Sequence, residues 1–235
     1  MALPKLKTSE YTLKLPSTQE EIKYRPFLVK EQKILMIAQE SEVEQQIADA
    51  MGLLISNCTF GVIDVDNSPM FDVEYVFLQL RAKSAGAKIK LNIVCPDDEE
   101  TTVDVEVNLE EIAVQHSVEH TQESVITEDI KLKLRYPMLK DLKNMTGDFG
   151  DFEKAIVMVH ACVENVIYGE ETIHRIDMTK DEISEFIESF NTEQLENVMK
   201  FFETMPKLRH VVDVTNPKTK VKSEVLLEGL ESFLG

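Results

Sequence analysis

The chain has no tryptophan and only three cysteines, Cys58, Cys95 and Cys162, among its 235 residues. An odd number of cysteines without a secretory leader indicates reduced thiols in a cytoplasm rather than a disulfide framework. Long apolar runs are missing too, and none approaches the roughly 18 residues of a membrane-spanning helix. Residues 1–5 lack the apolar core of a signal peptide. These absences favour a soluble globular protein without a membrane span.

Basic residues are also few, since 25 Lys and Arg stand against 43 Asp and Glu, which gives a net charge of −18. Phosphate backbones need clustered basic side chains, so we expect no nucleic-acid partner. An acidic surface favours solubility or attraction to a basic protein. The sequence also lacks a Walker loop, a dinucleotide-binding glycine motif, a nucleophile elbow and an HExxH helix. We therefore expect a protein that is not an enzyme and needs no cofactor.

Apolar periodicity predicts an α+β fold in which helices accompany small antiparallel hairpins, without a large parallel sheet. Helical spacing covers residues 32–39, 42–58, 69–85, 152–166, 179–190 and 192–202. Alternation of period two marks strands at 88–94, 103–108 and 130–136. Because the third strand has a basic outer face and the strand at 103–108 has an acidic one, we expect these strands to share a sheet.

The chain divides on this pattern into an N-terminal α+β domain at residues 1–146 and a mainly helical domain at 147–235. The polar segment at 116–128 is the other candidate boundary. The N-terminal part contains a hairpin at 88–109. The C-terminal part ends in a second hairpin at 208–226, followed by a short helix.

These two hairpins have the same outline: a strand, a Cys-Pro or Asn-Pro turn, a second strand and a Leu-Glu pair. The turns lie at Cys95-Pro96 and Asn216-Pro217. This is the outline of a zinc ribbon, but a ribbon needs four Cys or His ligands in paired knuckles. The hairpins therefore resemble degenerate zinc ribbons that sheet packing can hold without metal.

Weak metal candidates remain at Cys95, Asp98, His116 and His120, which could bind an ion if the polar loop folded back. We expect no metal there, and a metal-binding regulatory module is the alternative function. Cys95 makes a poor nucleophile, because the acidic turn should raise the pKa of its thiol. A third hypothesis is a hydrolase that uses the carboxylates of Asp148 and Asp151.

Two apolar pairs are candidates for partner binding. Phe201 and Phe202 are neighbours, and a helix cannot bury both on one narrow stripe. Phe233 and Leu234 lie at the C-terminal end, where apolar residues fray unless they dock. We therefore name these four residues as candidate docking contacts.

Several motifs, in this order, resemble the baseplate hub assembly proteins of T4-like tailed phages, in a form most similar to those of marine cyanobacterial phages. They are Pro26-Phe27-Leu28-Val29-Lys30-Glu31-Gln32-Lys33-Ile34-Leu35, the Cys-Pro hairpin, Leu134-Arg135-Tyr136-Pro137, the helix at 181–190, and the segments at 201–208 and 227–233. The resemblance covers nearly the whole chain. Each motif is weak alone, and the order makes the resemblance specific.

The resemblance implies a non-enzymatic protein that helps to build the central hub of a contractile-tail baseplate in the host cytoplasm. Its partners would be other baseplate hub proteins. It would act as a chaperone that leaves, or as a minor subunit that stays in the virion tail baseplate. Relatives often carry paired cysteines in the hairpins, and Asp98, Asn216 and Thr219 depart from that pattern. No catalytic residues carry over from the family.

Overall fold

The computed structural model describes residues 7–41, 43–145 and 150–233, without the side chains of Gln39, Glu44 and Asp151. The described helices are α1 (Val29–Glu40), α2 (Glu44–Cys58), α3 (Met70–Ala85), α4 (Leu139–Asn144), α5 (Asp151–Cys162), α6 (Lys180–Glu188) and α7 (Thr192–Thr204). The strands are β1 (Tyr11–Lys14), β2 (Glu21–Tyr24), β3 (Lys88–Val94), β4 (Thr102–Asn108), β5 (Ala113–Gln115), β6 (Glu123–Val125), β7 (Ile130–Leu134), β8 (Val163–Tyr168), β9 (Glu171–His174), β10 (Lys207–Thr215) and β11 (Lys222–Glu228). Short 3-10 helices lie at Val65–Asn67, Leu109–Glu111, Arg175–Asp177 and Leu230–Phe233.

The predicted α+β class is confirmed. The described strands form small antiparallel sheets in the orders β1-β2, β11-β10-β5, β3-β4 and β6-β7-β8-β9. Both predicted hairpins are present, and Lys90 lies opposite Glu106 as their alternation requires. None of the described helices has the length and apolarity that crossing a bilayer requires.

Two details of the secondary-structure prediction were wrong. Strand β7 does not share a sheet with β3 and β4, because it pairs with β6 and β8 instead. The helix predicted to run to residue 166 ends at Cys162, and the chain continues as strand β8. The residues Val163, Val166 and Ile167 are β-branched, which favours a strand over the last helical turn.

The chain forms two compact units. Unit 1 comprises Met1–Gln115 and Lys207–Gly235, and unit 2 comprises His116–Pro206. The first boundary falls at the start of the polar segment 116–128. The division after residue 146 that the sequence suggested coincides with neither boundary.

The order of elements occurs twice along the chain. Residues 11–112 run as hairpin, two helices, 3-10 helix, helix, hairpin and 3-10 helix, and residues 123–233 follow the same order. We call these segments the first and second repeat. The second repeat differs in two ways, because it adds the hairpin β8–β9 and replaces one long helix with the pair α6 and α7. The two ribbon-like hairpins are thus corresponding parts of a longer repeat.

The first repeat is held by a charged clasp between its hairpin and its helices. The guanidinium of Arg25 lies 3.0 Å from the Glu31 carboxylate, which also accepts a hydrogen bond of 2.8 Å from the Leu28 backbone N–H. The Arg25 backbone N–H donates to the carbonyl of Cys58, the last residue of α2, at 2.9 Å. Glu31 is buried, and the charge-assisted bonds lower the pKa of its carboxyl although burial opposes them.

The second repeat contains the same clasp. Arg135 holds Asp141 through two hydrogen bonds of 2.7 and 2.9 Å, and Asp141 accepts a third bond of 2.8 Å from the Met138 backbone. The Arg135 backbone N–H donates to the carbonyl of Cys162, the last residue of α5, at 2.8 Å. The two repeats therefore share this hydrogen-bonding pattern as well as the order of their elements.

Glu74 on α3 gives unit 1 a pH-dependent stability. Burial raises the pKa of Glu74 to about 7, although a hydrogen bond from the Leu230 backbone opposes that change. Because the folded state favours the protonated carboxyl, this group costs stability as the pH rises from 4.5 through about 7.

Replacing Glu74 with glutamine should therefore raise the free energy of unfolding by about 2 kcal/mol near pH 8 and change it little near pH 4. Glutamine can still accept the bond from Leu230. Urea denaturation at both pH values measures the effect, with the exposed Glu224→Gln as control. A loss of stability in Glu74→Gln near pH 8 would contradict this assignment.

Candidate functional site

The two ribbon-like hairpins end in matching turns. In the first, the Cys95 N–H donates to the Thr101 carbonyl at 2.7 Å, and the Glu99 N–H donates back to Cys95 at 3.0 Å. In the second, Asn216 makes the equivalent bonds with Val221 and Lys220 at 3.0 and 2.9 Å. Glu99 and Lys220, four residues after Cys95 and Asn216, have positive φ angles of 53° and 67°. The turns are therefore built alike although the sequences differ.

The two turns meet through the side chain of Asp97. The amide of Asn216 donates to both carboxylate oxygens of Asp97, at 3.0 and 3.1 Å, and the Thr219 hydroxyl donates to one of them. Asn216 is 1% exposed. These bonds lower the pKa of Asp97, the Thr219 bond most, so the carboxylate stays charged. We call this set of Asp97, Asn216 and Thr219 the turn junction.

Asp98 faces back into its own turn. Its carboxylate accepts bonds from the Thr101 hydroxyl at 2.6 Å and from the Thr101 N–H at 2.9 Å. These bonds and one from Asn216 hold the pKa of Asp98 far below its usual range. Cys95 is fully buried, and its pKa is raised first by burial and then by Asp97 and Asp98. The turn thus disfavours the thiolate that a nucleophile or a metal ligand requires.

The two candidate histidines belong to unit 2, whereas Cys95 and Asp98 belong to unit 1. Both ring nitrogens of His120 are occupied, one by the Thr204 hydroxyl at 3.0 Å and one by the Tyr136 hydroxyl at 3.1 Å. Burial and then His116 lower the pKa of His120, so the neutral ring is favoured. Across the described residues, no cluster of three His, Cys, Asp or Glu side chains could hold a metal ion.

Purified protein should consequently contain less than about a tenth of an equivalent of zinc, because the ligand positions hold hydroxyl, amide and carboxylate groups in hydrogen bonds. Elemental analysis of protein expressed in zinc-supplemented medium measures this directly. A full equivalent that survives chelator dialysis would favour the metal-binding alternative.

All three thiols are buried. Burial raises the pKa of Cys58 to about 11 and that of Cys162 to about 12. We expect a thiol-specific disulfide reagent near pH 8 to react with the folded protein at least about a hundredfold more slowly than with the denatured protein. One thiol that titrates at once in the folded state would contradict the burial of these side chains.

The proposed docking residues have different environments. Phe201 is 2% exposed and stacks on Tyr136, with ring centroids 5.7 Å apart. Phe202 is half-buried and meets Phe201 edge to face at 5.0 Å. Phe233 is fully buried, and Leu234 lies outside the described residues. Two of the four thus serve the folded core, and docking through this set stays a prediction.

The two carboxylates of the hydrolase hypothesis lie outside the described side chains. Asp148 lies outside the described residues, and of Asp151 only the backbone is described, as the first residue of α5. A pair of catalytic carboxylates at these positions stays a prediction.

The residue that sequence reasoning missed is Asp97. The acidic run at 97–100 suggested a solvated tip or a contact for a basic partner, whereas Asp97 joins the two hairpins. A sequence signal did exist, because the matching turn offers Asn216 and Thr219, which are hydrogen-bond donors to a carboxylate. The turn junction therefore acts as a structural joint and has no evident chemistry of its own.

Comparison with known proteins gives one family. The sequence model of the family described as "T4 bacteriophage base plate protein" matches residues 8–235. No curated protein and no solved structure matches the chain significantly.

Proposed function

Because the chain belongs to the T4 bacteriophage base plate protein family, we propose that it is an assembly protein or minor subunit of the baseplate hub, acting by protein–protein binding. The match over residues 8–235 carries this proposal, because it spans both units and both repeats. Membership of the family supports a role as a phage tail baseplate protein. We propose in addition that the protein acts at the hub, either as a chaperone or as a minor subunit.

The geometry is consistent with binding rather than catalysis. The turn that could have held a metal or a nucleophile has its carboxylates in hydrogen bonds and its thiol buried. The acidic surface, with a net charge of −18, suits attraction to basic surfaces of partner proteins. The charge also opposes binding to nucleic acid.

Co-expression with each hub protein of the same phage, followed by pull-down through an affinity tag, tests the proposal. We expect at least one hub protein to co-purify in a stable complex and to be lost at high salt, since charges contribute to the contact. Tail-tube and sheath proteins of the phage are the controls. Co-purification with none of the hub proteins would contradict the proposal.

Mass spectrometry of purified mature virions separates the two forms of the proposed role. A minor subunit remains in the particle at a fixed ratio to the hub proteins. A chaperone is found in infected cells and is missing from virions.

A further inference from the structure

Unit 2 contains an open apolar groove that the hub role leaves without an occupant. Its floor is one face of the sheet at Val166, Tyr168 and Ile173, and its wall includes Ile183 and Phe186 of α6. The groove encloses about 430 Å³. Ile173 lies directly opposite Val166 in the register of β8 and β9, so these side chains share the floor. A space of this size admits several apolar side chains of a ligand.

In the first repeat, Asp72, Val73 and Val76 of α3 line a gap too small to admit a water molecule. There the Asp72 carboxylate accepts hydrogen bonds from the backbone and hydroxyl of Ser17. The groove arises with the hairpin β8–β9, which the described part of the first repeat lacks. An added hairpin that opens an exposed apolar surface points to a binding role.

The rim of the groove is acidic. Asp177 and Glu182 line it, and Glu171 shares the face of Ile173 by strand alternation. Hydrogen bonds from the backbone and hydroxyl of Thr179 lower the pKa of Glu182, so its carboxylate stays charged. The guanidinium of Arg175, the basic group that precedes the rim in sequence, donates to the Met178 carbonyl.

The outer edge of the sheet lies beside the groove. Strand β9 pairs with β8 and stands at the end of the four-stranded order, with all four of its residues exposed. At an edge, alternate residues turn their backbone N–H and C=O groups away from the sheet, and an extended peptide can pair with them. The groove and the edge together therefore match an extended ligand.

We propose that this groove binds an extended segment of a partner protein that adds to β9 as a fifth strand, places alternate apolar side chains in the groove and carries Lys or Arg beside them. The basic residues meet Glu171, Asp177 and Glu182. A second copy of this chain is disfavoured, because each copy carries a net charge of −18 and lacks the excess of basic residues that the acidic rim attracts. The inference rests on the proposed function for the identity of the partner as a hub protein, whereas the groove is tested independently of it.

The test uses the full chain and a short fluorescent peptide with valine at alternate positions and lysines at both ends. A matched peptide has glutamates in place of the lysines. We expect fluorescence anisotropy to show binding of the lysine peptide alone, weakened about tenfold or more by Ile173→Glu. Leu226→Glu, at an exposed position of β11 in unit 1, should bind as the wild type does. Glu171→Lys should weaken the lysine peptide and reduce its salt dependence.

Circular dichroism checks that the variants are folded, and Thr172→Pro serves as a second variant because it removes a backbone donor from β9. Equal binding of both peptides, or wild-type affinity in both Ile173→Glu and Thr172→Pro, would overturn the inference. In the hub pull-down, Ile173→Glu should lose the partner that the wild type retains. A partner retained by Ile173→Glu refutes the groove and leaves the hub role intact, whereas a wild-type chain without any hub partner refutes the hub role alone.

Discussion

Replacing Asn216 with aspartate is expected to lower the free energy of unfolding by about 3 kcal/mol near pH 7, because it places an unpaired charge at a buried position. The amide nitrogen of Asn216 donates to both oxygens of Asp97, whereas aspartate has at that position an oxygen that cannot donate. The new carboxylate would face Asp97 directly and Asp98 nearby. Chemical denaturation followed by circular dichroism measures the loss.

The pH dependence of this loss has a definite sign. Burial and neighbouring carboxylates raise the folded-state pKa of the introduced aspartate above its unfolded value of about 4. The penalty is therefore present at neutral pH and shrinks as the pH falls toward about 4. The matched control is Asn92→Asp, whose amide donates to the exposed Asp104 at 2.8 Å within the first hairpin, β3–β4. Equal losses of unfolding free energy in the two variants would contradict the stabilising role of the turn junction.

Replacing Arg135 with methionine is expected to destabilise unit 2 by about 3 kcal/mol, because it leaves the buried carboxylate of Asp141 without its cation. Arg135 also donates to the carbonyl of Ala161 at 2.6 Å and to that of Tyr136 at 3.0 Å. The bond to Ala161 joins the end of β7 to the end of α5, and the bonds to Asp141 join it to α4. Methionine keeps most of the apolar contact of the arginine stem, so the loss reports the charged clasp.

The control is Lys131→Met, which removes an ion pair of 3.4 Å between Lys131 on β7 and Glu123 on the neighbouring strand β6. Both partners of that pair are about half exposed, and such pairs contribute at most about 1 kcal/mol. Arg25→Met should behave like Arg135→Met, because the first repeat has the same clasp. A loss in Arg135→Met no larger than that in Lys131→Met would refute the structural role of the clasp.

The parts of the fold that could be predicted are those in which local signals agree. Helix α6 has apolar residues at helical spacing and a capping box, in which Thr179 accepts a bond from Glu182 and the Glu182 carboxylate accepts one in return. Strands β3 and β4 alternate strictly, and their register places Lys90 opposite Glu106. In each case local patterns sufficed, because the residues that form the element are close in sequence.

Long-range and ambiguous features could not be predicted in this way. Apolar residues run from α5 into β8 without a break, and periodicity alone does not separate a short buried strand from the last turn of a helix. The prediction that three strands share one sheet was also wrong, because basic and acidic side chains pair within each of the separate sheets. Lys88 pairs with Glu106, while Lys131 pairs with Glu123.

The candidate site was predicted in part. The equivalence of Cys95 and Asn216 as turn residues follows from the Cys-Pro and Asn-Pro pairs, and both are buried at matching places. The bond between Asp97 and Asn216 joins residues that are 119 positions apart, and nothing local indicates it. The groove of unit 2 was not predicted, because the hairpin β8–β9 that forms its floor was not predicted.

The most direct test of the hub role is electron microscopy of cells infected with a phage from which this coding sequence has been deleted. We expect heads and free tail components but no complete contractile tails, with assembly restored when the protein is supplied from a plasmid. Tails with intact baseplates in the deletion mutant would contradict the proposed function.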